Sequence, residues 1–171
     1  MENIIKGRVL KFGDNVNTDV IAPGRWKREG LDVLRLHTME AIRTDFYKDV
    51  EPGNIIVGGN NFGCGSHRDE ATTIMNKLGI SAIVCDSLAR LYFRNCIAYG
   101  IPVFSASGIS KMVEEGQELK IMMGEEKVVI ENTATGEQVT APPIPETMIG
   151  VLKAGGVFPL LKQRLVPENK D

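Results

Sequence analysis

Residues 55–85 read IIVGGNNFGCGSHRDEATTIMNKLGISAIVC, and the order of residue types in this stretch decides the fold class. Ile55-Ile56-Val57 is a continuous apolar run entered from the turn Pro52-Gly53-Asn54, the mark of a buried strand. Gly58, Gly59, Gly63 and Gly65 then punctuate a loop. Ala71, Ile74, Met75 and Leu78 recur at helical spacing, and Ser66 with an acid three residues on, at Asp69, predicts the N-cap of that helix. Gly79 ends it. Ile80 to Cys85, β-branched and bounded by turn residues, predicts a second strand. A helical crossover between two strands implies that they pair in parallel.

The same logic extends outward. Ser87 predicts the cap of a helix over Leu88 to Ala98 that Gly100 closes, followed by a third strand at Ile101 to Phe104. Upstream, Ile4 to Phe12 alternates well enough for a strand, stopped by Gly13-Asp14-Asn15, and a long loop runs to about Gly30. Leu31, Leu34, Leu36, Met39 and Ile42 predict an amphipathic helix from Leu31 to Arg43, with His37 on its surface. Downstream come a short helix near Ile109 to Glu114 and strands at Glu118 to Met122, Lys127 to Asn132 and Glu137 to Thr140, which read as antiparallel. A last helix starts near Glu146, breaks at Gly155-Gly156 and resumes over Phe158 to Leu165. Residues 166–171 are expected to fray. The fold class is α/β, a mixed sheet with parallel strand–helix–strand units, and with no repeat or low-complexity tract residues 1–171 read as one domain.

Composition narrows the function. The 171 residues are 43% hydrophobic and 25% charged, ordinary for a globular chain. Lys plus Arg number 20 against 22 acids, so the basic excess that a phosphate backbone demands is missing and nucleic acid is a poor partner. Neither a membrane span nor a secretory leader is legible, and a cytoplasmic protein is expected. Cys64, Cys85 and Cys96 are an odd set, separated by 21 and 11 residues, which fits neither a disulfide framework nor the close pairs of a zinc or iron–sulfur site. No metal ligand set is assigned to this chain.

Chemistry concentrates in three segments. A strand, a glycine loop and a helix start form an anion site, because free backbone N–H groups and the helix dipole favour negative charge there. Arg68 adds a planar fork of donors suited to a carboxylate. The loop matches neither a Walker A sequence, lacking Gly-Lys-Ser/Thr, nor Gly-x-Gly-x-x-Gly, where Arg68 stands in the third glycine's place. Taken alone, Ser66 reads first as a helix cap. Asp14, Asn17, Thr18 and Asp19 crowd polar groups after the first strand, as Asx turns or as part of a site. Arg25, Lys27 and Arg28 repel one another unless they are solvated or meet an anion. Arg90, Arg94 and Asn95 form either a polar stripe behind the glycine loop or the wet face of a helix.

Together, Gly13-Asp14-Asn15-Val16-Asn17-Thr18-Asp19-Val20-Ile21, Asn61-Phe62-Gly63-Cys64-Gly65-Ser66 and Ala89-Arg90-Leu91-Tyr92-Phe93-Arg94-Asn95 resemble the three signature stretches of the 3-isopropylmalate dehydratase small-subunit family of the aconitase superfamily. The resemblance runs in order over about residues 4 to 165. It implies the swivelling β/β/α domain of that superfamily and a hydro-lyase that removes and restores water on a 2-hydroxy acid, most directly in leucine biosynthesis. Related family members act on homoaconitate, 2-methylmalate or 2,3-dimethylmalate. It also implies a [4Fe-4S] cluster carried by a partner large subunit and not by this chain, its open iron acting as a Lewis acid on the departing hydroxyl.

Carried over by resemblance, Ser66 matches the serine whose alkoxide takes a proton from the carbon beside a carboxylate, and Arg68 the substrate-carboxylate arginine. Gly65 falls within the substrate loop, and Thr18 and Asp19 match the polar cluster that orients the site. Arg28 is a second candidate carboxylate grip. Two departures stand out. The family's Gly-Ser-Ser-Arg-Glu is here Gly65-Ser66-His67-Arg68-Asp69, so His67 either adds a proton donor or acceptor near pH 7 or fills the space of a serine. Trp26-Lys27-Arg28-Glu29 is not the apolar tip that goes with an isopropyl group, which leaves the substrate's variable side open to a further carboxylate or a small methyl-bearing acid. A different class of function, a binding module for an anionic metabolite, uses the same glycine loop. The segment Arg25 to Gly30 is expected to be mobile without ligand.

Overall fold

Apolar runs at residues 55–57 and 82–84 have no polar face to give to water, so they can only lie inside a sheet covered on both sides. A computed structural model describing residues 4–165 places them there. β1 (Ile4–Lys11) opens the chain, and α1 (Thr18–Ile21) and a 3-10 helix at Gly24–Glu29 follow it. Next come α2 (Leu31–Leu36), α3 (Phe46–Asp49), β2 (Ile55–Gly58), α4 (Asp69–Lys77), β3 (Ala82–Cys85), α5 (Arg90–Ala98), β4 (Val103–Ser105) and α6 (Ile109–Met112). The chain continues through β5 (Glu118–Met123), β6 (Val128–Asn132), β7 (Gln138–Ala141), α7 (Glu146–Lys153) and α8 (Val157–Leu165).

The seven strands form one mixed sheet in the order β4-β3-β2-β1-β5-β6-β7. β1 to β4 are parallel, with Val9 opposite Ile55, Ile55 opposite Ala82 and Ile83 opposite Val103. From β1 outward on the other side the pairing is antiparallel, with Ile5 opposite Ile121, Ile121 opposite Ile130 and Ile130 opposite Val139. Each parallel crossover steps to the next strand in the same direction, and crossovers of one hand therefore lay their helices on one face. On that face Leu10, Ile56 and Ile83 share a core with Ile74 and Met75 of α4 and Tyr92 and Cys96 of α5. On the other face Val9, Ile55, Val57 and Val84 share a second core with Ile109 of α6 and Leu119, Ile121, Val128 and Ile130 of the antiparallel strands. The antiparallel strands and α6 thus supply the cover that the helices leave bare. Each aliphatic side chain buried this way contributes about 1.5–3 kcal/mol.

Four expectations need correction. The helix predicted from Leu31 to Arg43 stops at Leu36. Met39, fully buried, takes a left-handed φ of 59° and donates its amide to Val20 O at 3.0 Å, which no helix permits. Ser66 caps nothing, because α4 begins at Asp69 with Arg68 at its N-cap and no side-chain cap bond. Likewise α5 begins at Arg90 after Ala89, and Ser87 turns its hydroxyl to the glycine loop instead. The long loop before Gly30 holds α1 and the 3-10 helix. The tail predicted to fray, residues 166–171, lies outside the described residues. Among the described residues no helix is long and apolar enough to cross a membrane.

Candidate active site

The glycine loop leaves the carboxyl end of β2, the place where open parallel sheets bind ligands. It is stitched from both sides. Toward the segment after β1, Gly63 N donates to Val16 O at 2.7 Å and Thr18 N to Cys64 O at 2.9 Å, while Thr18 Oγ1 donates to Ser66 O at 2.8 Å. Toward the segment after β3, Phe62 N donates to Ser87 O at 3.1 Å and Asn61 N to Ser87 Oγ at 2.8 Å. Gly63 is required twice over. Its φ is 74°, and a Cβ there would lie 2.2 Å from the Tyr92 ring. The loop is therefore rigid up to Gly65, and Ser66 and His67 stand exposed at its tip.

Ser66 Oγ accepts a hydrogen bond from Arg68 Nε at 3.2 Å. The same guanidinium also pairs with Asp19, Nη2 to Oδ1, at 2.6 Å, and Arg68 is only 18% exposed while Asp19 is 61% exposed. Gly24 lies under the same group, 3.1 Å from Arg68 Nη1 to the position a Cβ would take. Asn17 caps α1, its Oδ1 accepting from Val20 N at 2.8 Å, and this holds Thr18 and Asp19 in place. Thus Thr18, Asp19, Gly65, Ser66 and Arg68 come together. A cation within hydrogen-bond reach of a hydroxyl favours its ionised form, so the arrangement can support proton transfer at Ser66 and bind a carboxylate beside it.

His67 does not fill the space of a serine. Its ring is 55% exposed and held at both nitrogens, Nδ1 by the Asn95 amide at 3.3 Å and Nε2 by Asp69 at 3.0 Å. With the amide as donor, the imidazole proton sits on Nε2 facing Asp69. Asn95, buried on α5, thus backs the loop, whereas Arg90 and Arg94 lie on the exposed face of the same helix. Both halves of the ambiguity in that segment are realised by different residues.

The three loop cations also part company. Arg25 pairs with Glu40, Lys27 pairs with Glu70 at 3.0 Å, and Arg28 is exposed and meets no carboxylate within 4 Å among the described residues. His37 departs from the surface position that helical spacing predicts, and Glu40 lies at the centre of its contacts. His37 is half-buried and stacked under Trp26, with centroids 3.8 Å apart and planes at 9°. Glu40 accepts from Trp26 Nε1 at 3.0 Å and bonds His37 Nδ1 at 2.7 Å as well as meeting Arg25. Burial pushes its carboxyl upward, but these bonds from His37, Arg25 and Trp26 outweigh it and hold Glu40 at about 2 instead of 4.5. The spacing His37-x-x-Glu40 was the available signal.

None of the cysteines forms part of a ligand set. Cys85 and Cys96 are buried in the core, and burial pushes the Cys96 thiol up to about 12. No group of three His, Cys, Asp or Glu able to hold a metal ion occurs among the described residues.

With this geometry in hand, kinship can be placed. The Aconitase C-terminal domain family model matches residues 11–104. Over 96% of this chain and 98% of the relative, 44% of residues are identical to the isopropylmalate/citramalate isomerase small subunit of Methanocaldococcus jannaschii. Identity is 42% to 3-isopropylmalate dehydratase small subunit 1 of Thermotoga maritima, over 94% and 96% of the two chains. It is 41% to the methanogen homoaconitase small subunit of Methanothermobacter thermautotrophicus, over 92% and 90%. The crystal structure of a 3-isopropylmalate dehydratase protein from Methanocaldococcus jannaschii superposes with a TM-score of 0.84 at 36% identity, covering 95% of each chain. Similarity of this extent in both sequence and fold means that the chain belongs to the aconitase C-terminal domain family, among the small subunits of 3-isopropylmalate dehydratases and their relatives.

Proposed function

We propose that this chain is the small, substrate-recognising subunit of a two-subunit hydro-lyase of the 3-isopropylmalate dehydratase type, serving leucine biosynthesis in the cytoplasm. In this reading the large subunit brings a [4Fe-4S] cluster, whose iron chemistry lies outside this chain, and residues 1–171 act as one swivel domain. The observation that carries it is the exposed Ser66 hydroxyl 3.2 Å from Arg68 Nε, at the tip of the glycine loop. Half a pocket of this kind becomes a pocket when a companion closes over it.

Ser66 takes the proton from the carbon next to a substrate carboxylate, the electron pair forms the carbon–carbon double bond, and the hydroxyl of the neighbouring carbon departs. Water returns across the double bond to complete the isomerisation. A serine is a weak base in water, and the preorganised positive charge of Arg68, aimed by Asp19, is what lowers the cost of the alkoxide. The guanidinium then also grips a carboxylate, and Gly65 lets the main chain come close to it. His67, fixed by Asn95 and Asp69, borders the same space. Arg28 supplies a cation for the variable side of the substrate, which leaves that side open to a further carboxylate or a small methyl-bearing acid beside Trp26.

Reconstituting the two-subunit complex and assaying 3-isopropylmalate, homoaconitate, 2-methylmalate and 2,3-dimethylmalate tests the reading. Turnover of one of them by the complex, and none by this chain alone, is the expected result. Failure on all four overturns it. Tight binding of a dicarboxylate by the isolated chain would favour the binding module instead.

A further inference from the structure

Glu40 lies outside the three signature stretches, yet three side chains converge on its carboxylate from two segments. Arg25 and Trp26 reach it from the 3-10 helix, and His37 from the turn that follows α2. Trp26 is in addition clamped face to face on His37. A further tie, Lys27 to Glu70, fastens the middle of the 3-10 helix to the first turn of α4. Beside Glu40 a cleft of about 540 Å³ opens, bordered by Asn17, Asp19, Gly24 and Arg25. Glu40 therefore stands on the flank of the half-site, with Gly24 and Asp19 between it and Arg68.

Gly24–Glu29 carries three cations in about two turns of 3-10 helix, which left alone would repel and splay the segment. Glu40 removes Arg25 from that set and Glu70 removes Lys27, and of the three Arg28 alone is exposed with no carboxylate within 4 Å among the described residues. A carboxylate that accepts a charged and a neutral donor at once fixes both the position and the orientation of the element that bears them. Its ionisation is secure, since its hydrogen bonds hold it far below the usual carboxylate range.

We propose that Glu40 is a positioning residue for substrate discrimination: it locks the 3-10 helix through Arg25 and Trp26, and thereby sets where Arg28 meets the variable side of the substrate. Glu40 touches no substrate in this scheme. The inference rests on the function proposed above, and it adds a residue that acts only through another.

The test is a double-mutant cycle in the reconstituted complex, using Arg28→Ala, Glu40→Ala and the pair, with Glu40→Gln as the conservative variant. Each is assayed on the best tricarboxylate and the best dicarboxylate of the panel. Glu40→Ala is expected to raise KM for the preferred substrate roughly tenfold with kcat changed less than about threefold, as for a lost binding interaction. Glu40→Gln, which keeps an acceptor for Trp26, should recover part of that loss. In the double variant the KM should match Arg28→Ala alone, because a residue that works through Arg28 has nothing left to position. Trp26 is the sole tryptophan, so a shift in its emission with an unchanged melting temperature and intact assembly reports that only the clamp has opened.

Additive effects of the two substitutions, or a fall in kcat equal across all substrates, would overturn the proposal. If Glu40→Ala fails to assemble, Glu40→Gln decides it by the same comparison with and without Arg28→Ala. A parent complex inactive on every acid defeats the proposed function itself, an outcome distinct from an active complex in which Glu40 and Arg28 act independently.

Discussion

The two halves of the sheet are built from similar strands and do different work. β1 to β4 run parallel, so their carboxyl ends point the same way and three successive loops, after β1, β2 and β3, meet at one rim. Thr18, Asp19, Ser66, Arg68 and the Ser87 brace all come from those loops. β5 to β7 alternate in direction, so consecutive connections fall at opposite ends and contribute none of these residues. Their apolar side chains go to the second core. Parallel strands concentrate chemistry, and antiparallel strands here pack the sheet that holds it.

Substitutions can break or sharpen that contrast. The largest effect is expected from Ser66→Ala in the parallel half, which should lower kcat of the complex by on the order of 10³–10⁴ without moving the melting temperature. Rates close to the parent would take Ser66 out of the chemistry. Gly63→Ala should come next, losing about 3 kcal/mol of stability from the positive φ together with the collision on Tyr92. Its counterpart in the antiparallel half, Gly136→Ala, shares a φ of 75° but meets nothing within 4 Å, and should cost about 1 kcal/mol. Equal losses in urea unfolding would show that the glycine loop is no more tightly held than a hairpin turn.

Ile130→Ala, buried in the second core, should destabilise by about 2–4 kcal/mol while kcat of the folded complex stays near the parent value. A matching fall in kcat would mean that the two halves are not separable. Smaller again is an acid transition at Glu40. Its folded carboxyl lies below its unfolded value, so the stability it contributes is full above about pH 4.5 and is lost as pH falls toward about 2. Emission of Trp26 should change over that window in the parent and not in Glu40→Gln.

The strands at 55–57, 118–122 and 127–132 and the break at Gly155-Gly156 fall where apolar spacing and glycine placed them. The misreadings share one cause. Ser66 and Ser87 have the residue type of a cap, but the glycine loop needed their positions, and caps are worth only about 1 kcal/mol. The pattern through Ile42 is helical, yet Met39 is pulled into the core and bonds Val20, 19 residues earlier in the chain, and α2 ends three residues before it. Local propensity yields where a buried contact between distant segments is worth more.

Of the candidate site, the grouping of Ser66, Arg68, Thr18 and Asp19 was legible because they lie in short motifs. Glu40 was not, since its partners Arg25 and Trp26 come from another element and none of the three signature stretches contains it. The order of apolar and glycine residues by itself determined the parallel units and the strand ends at which a ligand could sit, because such periodicities span only a few residues. Which loop cations are paired among the described residues, and which way the Arg68 guanidinium faces, were decided only when the chain folded, because those are distances between side chains from separate segments.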